Sequence, residues 1–155
     1  MILRFATAGD IPALNRLLRQ VLQVHHGGRP DIFRPDTKKY TDEELKALLT
    51  DPLTHIFVAE TADGVLGYAF CQLQETKNHL LLQDRKTLYI DDLCVEEGCR
   101  GTGIGKALLN HVRSYAKEQN CHSITLNVWA LNESALRFYQ KNGLLPLKYG
   151  MEQLL

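Results

Sequence analysis

The stretch Tyr89–Leu109, YIDDLCVEEGCRGTGIGKALL, decides how this chain folds and what it can hold. An apolar strand runs into an acidic turn, then an Arg-Gly loop, then a helix. The loop Arg100-Gly101-Thr102-Gly103-Ile104-Gly105 carries glycine on alternate positions. Glycine admits positive φ and lets a backbone approach a ligand closely. The helix behind it offers N–H groups without intrahelical partners and the positive end of its dipole. Together they form a site for phosphate.

Two common nucleotide motifs fail here at named positions. A Walker A loop needs G-x-x-x-x-G-K-[ST]. Gly105-Lys106 is followed by Ala107, and Arg100 stands where the first glycine belongs. A dinucleotide fingerprint needs G-x-G-x-x-G. After Gly101 and Gly103, the third glycine, Gly105, comes one place early.

The rest of the chain bounds the alternatives. A length of 155 residues, 45% hydrophobic and 23% charged, is that of one soluble domain with a full core. Acids and bases balance at 18 each, so no bulk charge draws the chain to nucleic acid or to an anionic membrane. MILRFATAGD has no signal-peptide plan, and no run of about 18 apolar residues marks a membrane span, so a cytoplasmic location is expected. Cys71, Cys94, Cys99 and Cys121 form no CxxC pair and read as free thiols; Cys94, beside the glycine loop, reads as a buried strand residue, with a nucleophile as the alternative. Adjacent His25 and His26 do not face one another on a helix, and no metal site is expected.

Periodicity supplies the elements. Ile2–Phe5 alternates as a strand. Ile11, Leu14, Leu17, Leu18, Val21 and Leu22 mark the buried face of a helix from about Asp10 to Val24. His25–Tyr40 is a long connection. Thr41-Asp42-Glu43-Glu44 is a capping box that opens a helix through Leu49. His55–Glu60 and Val65–Gln74 form a hairpin around Ala62-Asp63-Gly64. Asn78–Arg85 is ambiguous. Thr87–Val95 is a strand, Gly103–Glu118 a helix, Ser123–Trp129 a strand and Asn132–Lys141 a helix that Asn142-Gly143 stops. Leu144–Leu155 can supply a final strand. The order is that of a mixed α and β domain around one sheet.

R-G-x-G-I-G after a strand ending in Leu93-Cys94-Val95 resembles the pyrophosphate loop of the GCN5-related N-acetyltransferase (GNAT) superfamily, whose signature [QR]-x-x-G-x-[GA] is met by Arg100, Gly103 and Gly105. Arg4–Asp10 is similar to that family's first strand and turn. NESALRFYQKNG, Asn132–Gly143, is similar to its last helix, with N-x-x-[AS]-x-x-x-Y spacing. The resemblance covers nearly the whole chain. It implies a single GNAT domain over residues 1–155, with a mostly antiparallel sheet of about six to seven strands and about four helices, splayed at the acetyl-coenzyme A site.

The resemblance further implies acetyl-coenzyme A as co-substrate and no metal. The backbone of Leu93, Cys94 and Val95 would pair with the pantetheine arm as with an added strand. Arg100, Gly101, Thr102, Gly103, Ile104, Gly105 and Lys106 would hold the pyrophosphate, and Asn132 and Ser134 would touch the arm further along. Tyr139 sits where the family has its general acid for the coenzyme sulfur. A backbone N–H near Leu93 would meet the oxyanion.

The base is open between Asp91 and Asp92. In a regular strand they point to opposite faces. Either could take the amine proton, directly or through water, or only attract a cationic acceptor. One could instead pair with a loop arginine such as Arg34 or Arg85. The acceptor site of the family lies near the first two helices, and His26, Arg29, Phe33 and Tyr89 are the residues expected to bind it. The implied activity is acetyl transfer to a primary amine of a small molecule or peptide by direct attack in a ternary complex. The alternatives are a longer acyl group or a non-catalytic acyl-coenzyme A-binding module. A monomer or homodimer is expected.

Overall fold

In the computed structural model, which describes all 155 residues, alternating apolar side chains build one five-stranded sheet with apolar layers on both faces. The strands are β1 (Ile2–Phe5), β2 (Thr54–Thr61), β3 (Gly64–Thr76), β4 (Arg85–Val95) and β5 (Ser123–Leu126), in that spatial order. Neighbours run antiparallel except β4 and β5, which are parallel. The parallel step requires a crossover, and helix α3 (Ile104–Glu118) provides it.

Helices α1 (Ile11–Gly28) and α2 (Asp42–Thr50) cover one face. Leu14, Leu17 and Leu45 are fully buried there against Ile56, Val58, Tyr68 and Phe70. On the other face, Leu108, Leu109 and Val112 of α3 are buried against Phe57, Ala69, Leu88 and Ile90. Helix α4 (Glu133–Lys141) packs Phe138 and Tyr139 against this second layer.

Capping sets the start of α2 as the sequence predicts. The Thr41 hydroxyl accepts from the Glu44 N–H (3.1 Å), and the Glu44 carboxylate accepts from the Thr41 N–H (2.7 Å). Helix α1 runs one turn further than expected, through His25, His26 and two glycines to Gly28. A Cβ at Gly28 would come within 2.5 Å of Leu131 Cδ1, so the bare helix end lies against that side chain. The Arg29 N–H then closes the helix on the His25 carbonyl (2.9 Å).

The sheet has five strands rather than six to seven, and Leu144–Leu155 forms none. Beside it β5 is only four residues long and gives a further strand little to pair with. Pro146 also removes one ladder donor. The β5 expected to reach Trp129 ends at Leu126, and Asn78–Asp84 is irregular.

The chain's entry is fastened by charge. Arg4 grips both Asp10 oxygens (2.8 and 2.9 Å) and reaches Glu60 through Nε (2.7 Å). The Thr7 N–H and hydroxyl also donate to Asp10. The Arg4 hydrogen bonds, helped by those from Thr7, hold the Asp10 carboxyl down at about 2, below its ordinary 3.8. A depressed carboxylate stabilises the fold above its unfolded value and loses that contribution as pH falls through the folded one. Asp10→Asn is therefore expected to lower unfolding free energy by about 2 kcal/mol at neutral pH in urea titration. The gap from the wild type should close as pH falls from about 4 to about 2.

Candidate active site

Strand β4 builds the site because its pairing changes twice within a few residues. Ile90 lies opposite Cys71, whereas Asp92 lies opposite Phe70, so Asp91 is the extra residue of a β-bulge. The bulge shifts the alternation. Leu88 and Ile90 face α3, while Cys94 belongs to the layer under α1. Two acidic neighbours expected on opposite faces consequently reach one cation. Lys39 Nζ is 2.7 Å from Asp91 Oδ2 and 3.7 Å from Asp92 Oδ2.

Hydroxyls complete the cluster. The Tyr40 hydroxyl donates to Asp91 (3.2 Å) and the Tyr68 hydroxyl to Asp92 (3.1 Å). Asp92 has only 12% of its side chain exposed, and burial pushes its carboxyl up despite the opposing pull of Lys39. The two carboxylates outweigh burial at Lys39 and keep its ammonium charged. The arginines considered as partners, Arg34 and Arg85, contact neither Asp91 nor Asp92.

The second change is the loss of β5. Its four residues pair only with Thr87–Ile90, and from Asp91 to Val95 one edge of β4 has no neighbouring strand. This is the splay expected of the sheet. Leu93 and Val95 are half-buried along it. Cys94 is buried, and burial pushes its thiol up to about 12, so the sulfur stays protonated and unreactive.

Beyond Val95 a short turn over Glu97–Cys99 leads to the glycine loop. Gly101 and Gly103 have φ of +79° and +95°, conformations that disfavour any side chain. Gly103 caps α3 without covering its end. The backbone N–H groups of Gly101, Thr102, Gly103, Ile104, Gly105 and Lys106 donate to no acceptor in the protein. The Thr102 hydroxyl donates to the Cys99 carbonyl (2.6 Å), and Arg100 Nε turns back to the Val95 carbonyl (3.3 Å). Such a row of donors at a helix N-terminus fits a diphosphate.

Helix α4 stands beside this loop, with the Phe138 ring 3.5 Å from where a Gly105 Cβ would be. The Asn132 side chain accepts from the Ala135 N–H and the Ser134 hydroxyl, both at 3.1 Å, so this pair caps α4. Tyr139 is half-buried, and its hydroxyl bonds to nothing else in the chain. Burial, reinforced by negative charge at Asp92, pushes the phenol far up, so the hydroxyl stays protonated.

The end of α1 and the connection that follows carry His26, Arg29 and Phe33, expected to bind the acceptor. His26 Nδ1 is 2.7 Å from the Phe33 carbonyl. The Phe33 ring lies 4.9 Å from His25 and 5.1 Å, edge-on, from Trp129. Arg29 spends its fork on Asp31 and Glu152 (2.7 and 2.8 Å). The Tyr89 hydroxyl accepts from Asn127 (3.1 Å). Sequence reasoning passed over Lys39, Tyr40, Tyr68 and Trp129. Only Tyr68, a polar-tipped side chain within the apolar half of β3, Val65–Cys71, carries a local signal of its role.

A sequence profile of the Acetyltransferase (GNAT) family matches residues 19–144. The chain belongs to that family. An uncharacterized N-acetyltransferase of Methanocaldococcus jannaschii is 29% identical over 106 residues, 68% of this chain and 46% of that protein. The chain spans about half the length of the first curated relatives that it matches. The thialysine N-epsilon-acetyltransferase of Bos taurus is 26% identical over 92% of this chain and 83% of its own. Among solved structures, a tetramutant of the BH1408 protein from Bacillus halodurans is 35% identical, with a TM-score of 0.97 over 100% of both chains. Acetyltransferases of this family use acetyl-coenzyme A, and the free β4 edge followed by unpaired N–H groups fits its arm and its pyrophosphate. No group of three or more His, Cys, Asp and Glu side chains is arranged to hold a metal ion, and no helix is long and apolar enough to cross a membrane.

At Gly103, with φ of +95°, a β-branched residue is strained whatever the space around it. Gly103→Val should abolish coenzyme A binding in calorimetry while the far-UV circular dichroism stays that of the wild type. Unchanged affinity would refute the role of the loop.

Proposed function

We propose that the protein transfers acetyl from acetyl-coenzyme A to a primary amine of a small molecule or peptide, by direct attack within a ternary complex. The observation that carries this reading is the continuity of the free β4 edge, Asp91–Val95, with the unpaired N–H groups of Gly101–Lys106. A pantetheine arm can add to such an edge as a strand would, and the pyrophosphate can end at the helix. Family membership and the name of the thialysine N-epsilon-acetyltransferase support an amine acceptor.

When bound, the coenzyme supplies a thioester carbonyl carbon as electrophile. The chain's own groups do the rest. Leu93, Cys94 and Val95 hold the arm, with Asn132 and Ser134 near its far side. Arg100 and the glycine loop neutralise the pyrophosphate. A backbone N–H near Leu93 receives the negative charge that develops on the carbonyl oxygen. Tyr139, kept protonated by burial, gives its proton to the leaving sulfur. Asp91 and Asp92 draw the acceptor's ammonium and take up the proton it releases, directly or through water. Phe33 and His26 on one side and Tyr89 on the other bound the acceptor.

Free-thiol release with a panel of amines tests the activity. Tight coenzyme binding without release on any amine would favour a binding module, and faster release from longer acyl thioesters would favour another acyl donor. Tyr139→Phe should lower turnover roughly 100-fold while coenzyme affinity stays within about twofold. Undiminished turnover would remove Tyr139 as the acid.

A further inference from the structure

The Asp91–Asp92 cluster already holds an ammonium, and the group holding that place is a primary alkylamine from the chain itself. Lys39 lies on the irregular connection over residues 29–41, outside any helix or strand. Its ammonium reaches Asp91 and Asp92 and lies 5.4 Å from the centre of the Tyr40 ring. Tyr40 in turn stacks on Phe70 (6.0 Å, 14° between planes), which fixes the wall of the cluster. Two carboxylates face one lysine. Asp92 is nearly covered, whereas Lys39 keeps 36% of its side chain exposed. The enclosed partner is therefore Asp92 of the strand, whereas Asp91 (38% exposed) and Lys39 of the loop are both open to an incoming group.

Beside Asp91 is a small pit of about 130 Å³. Tyr40, Leu48, Phe70 and Cys71 give it an apolar side, Thr54 and Gln72 a polar one, and Asp91 supplies its only charge. A pit of this size takes only a short stem. A carboxylate beside a short apolar pit is complementary to a short unbranched alkylammonium.

We infer that the acceptor is a short unbranched primary alkylamine, whose ammonium displaces Lys39 from Asp91 and Asp92 and whose carbon stem lies in the pit walled by Tyr40, Leu48 and Phe70. Lys39 is then a tethered competitor that holds the ammonium position in the absence of acceptor. This rests on the acetyl-transfer reading of the same site. A competitor that must leave first reduces apparent affinity by the fraction of time it occupies the site.

The experiment uses a series of straight-chain amines from methylamine to octylamine, with thiol release as readout, and calorimetric titration of n-butylamine into the protein as a readout that needs no turnover. The expected kcat/KM rises from methylamine to n-butylamine and falls again by octylamine, whose stem outgrows the pit. Lys39→Met should lower KM for n-butylamine roughly fivefold to tenfold with little change in kcat, and tighten its calorimetric Kd alike. Lys39→Arg, which keeps a cation at the site, should stay near the wild type. Lys38→Met removes an equal charge from the next residue, whose ammonium points to Asp42 at 3.6 Å, and should leave KM unchanged. Leu48→Trp, which fills the pit, should raise KM for n-butylamine and leave methylamine unaffected.

A KM and Kd that stay the same or rise in Lys39→Met overturn the inference, as does an equal gain in Lys38→Met, which would reduce the effect to bulk charge. Turnover of some other amine without n-butylamine binding overturns it while the acetyl-transfer reading stands. Coenzyme binding without thiol release from any amine overturns that reading, and the calorimetric arm still decides whether Lys39 guards an alkylammonium site.

Discussion

The β-bulge at Asp91 is the constraint on which the site depends. One extra residue in β4 reverses which faces the following side chains address. Upstream of it, Leu88 and Ile90 are committed to the layer under α3. Downstream, Asp92 turns to Tyr68 and Cys94 to the layer under α1. Without the bulge, Asp92 would share a face with Ile90 against α3, where no cation waits. The bulge also coincides with the end of β5, whose last pair is Ile90 with Leu126. Polar side chains and a free backbone edge therefore appear at the same point of the strand.

Two different electrostatic regimes meet there. The glycine loop and the N-terminus of α3 present backbone N–H groups and the positive end of a dipole, a fixed field suited to anionic phosphate. Less than one strand length away, Asp91 and Asp92 present negative charge suited to an ammonium. Tyr139 lies between these regimes in character: buried enough to stay protonated, yet with no partner in the chain for its hydroxyl. Anionic and cationic groups can thus be drawn to one strand from its two ends. Packing rather than charge holds the connection after α1, where the Phe33 ring lies tilted against His25 and meets the edge of Trp129 across more than ninety residues of chain.

Much of the architecture was legible locally. The apolar spacing in α1 and α3, the Thr41–Glu44 capping box and the alternation in β2 and β3 all depend on residues within a few positions of each other. The glycine loop was legible for the same reason, since positive φ at Gly101 and Gly103 is a local backbone demand. The C-terminal segment shows where that logic stops. Leu144–Leu155 is apolar enough to read as a strand, but a strand needs a partner, and β5 extends for only four residues. The end of α1 shows the converse: the apolar spacing ends near Val24, yet the helix continues through His25, His26 and two glycines to Gly28, whose bare Cα lies against Leu131.

The sequence by itself determined the order of the elements, the phosphate-fitting loop and the presence of two carboxylates in an apolar strand. Tertiary structure alone decided that these carboxylates converge on Lys39 with Tyr40 and Tyr68, that Arg29 is held by Asp31 and Glu152, and that Trp129 meets Phe33. The physical reason is the range of the interactions. Propensity, capping and glycine conformation act between near neighbours along the chain. The phase of a strand across a bulge, and the partner that a buried charge finds, are set by strands and loops folded against each other from distant parts of the chain.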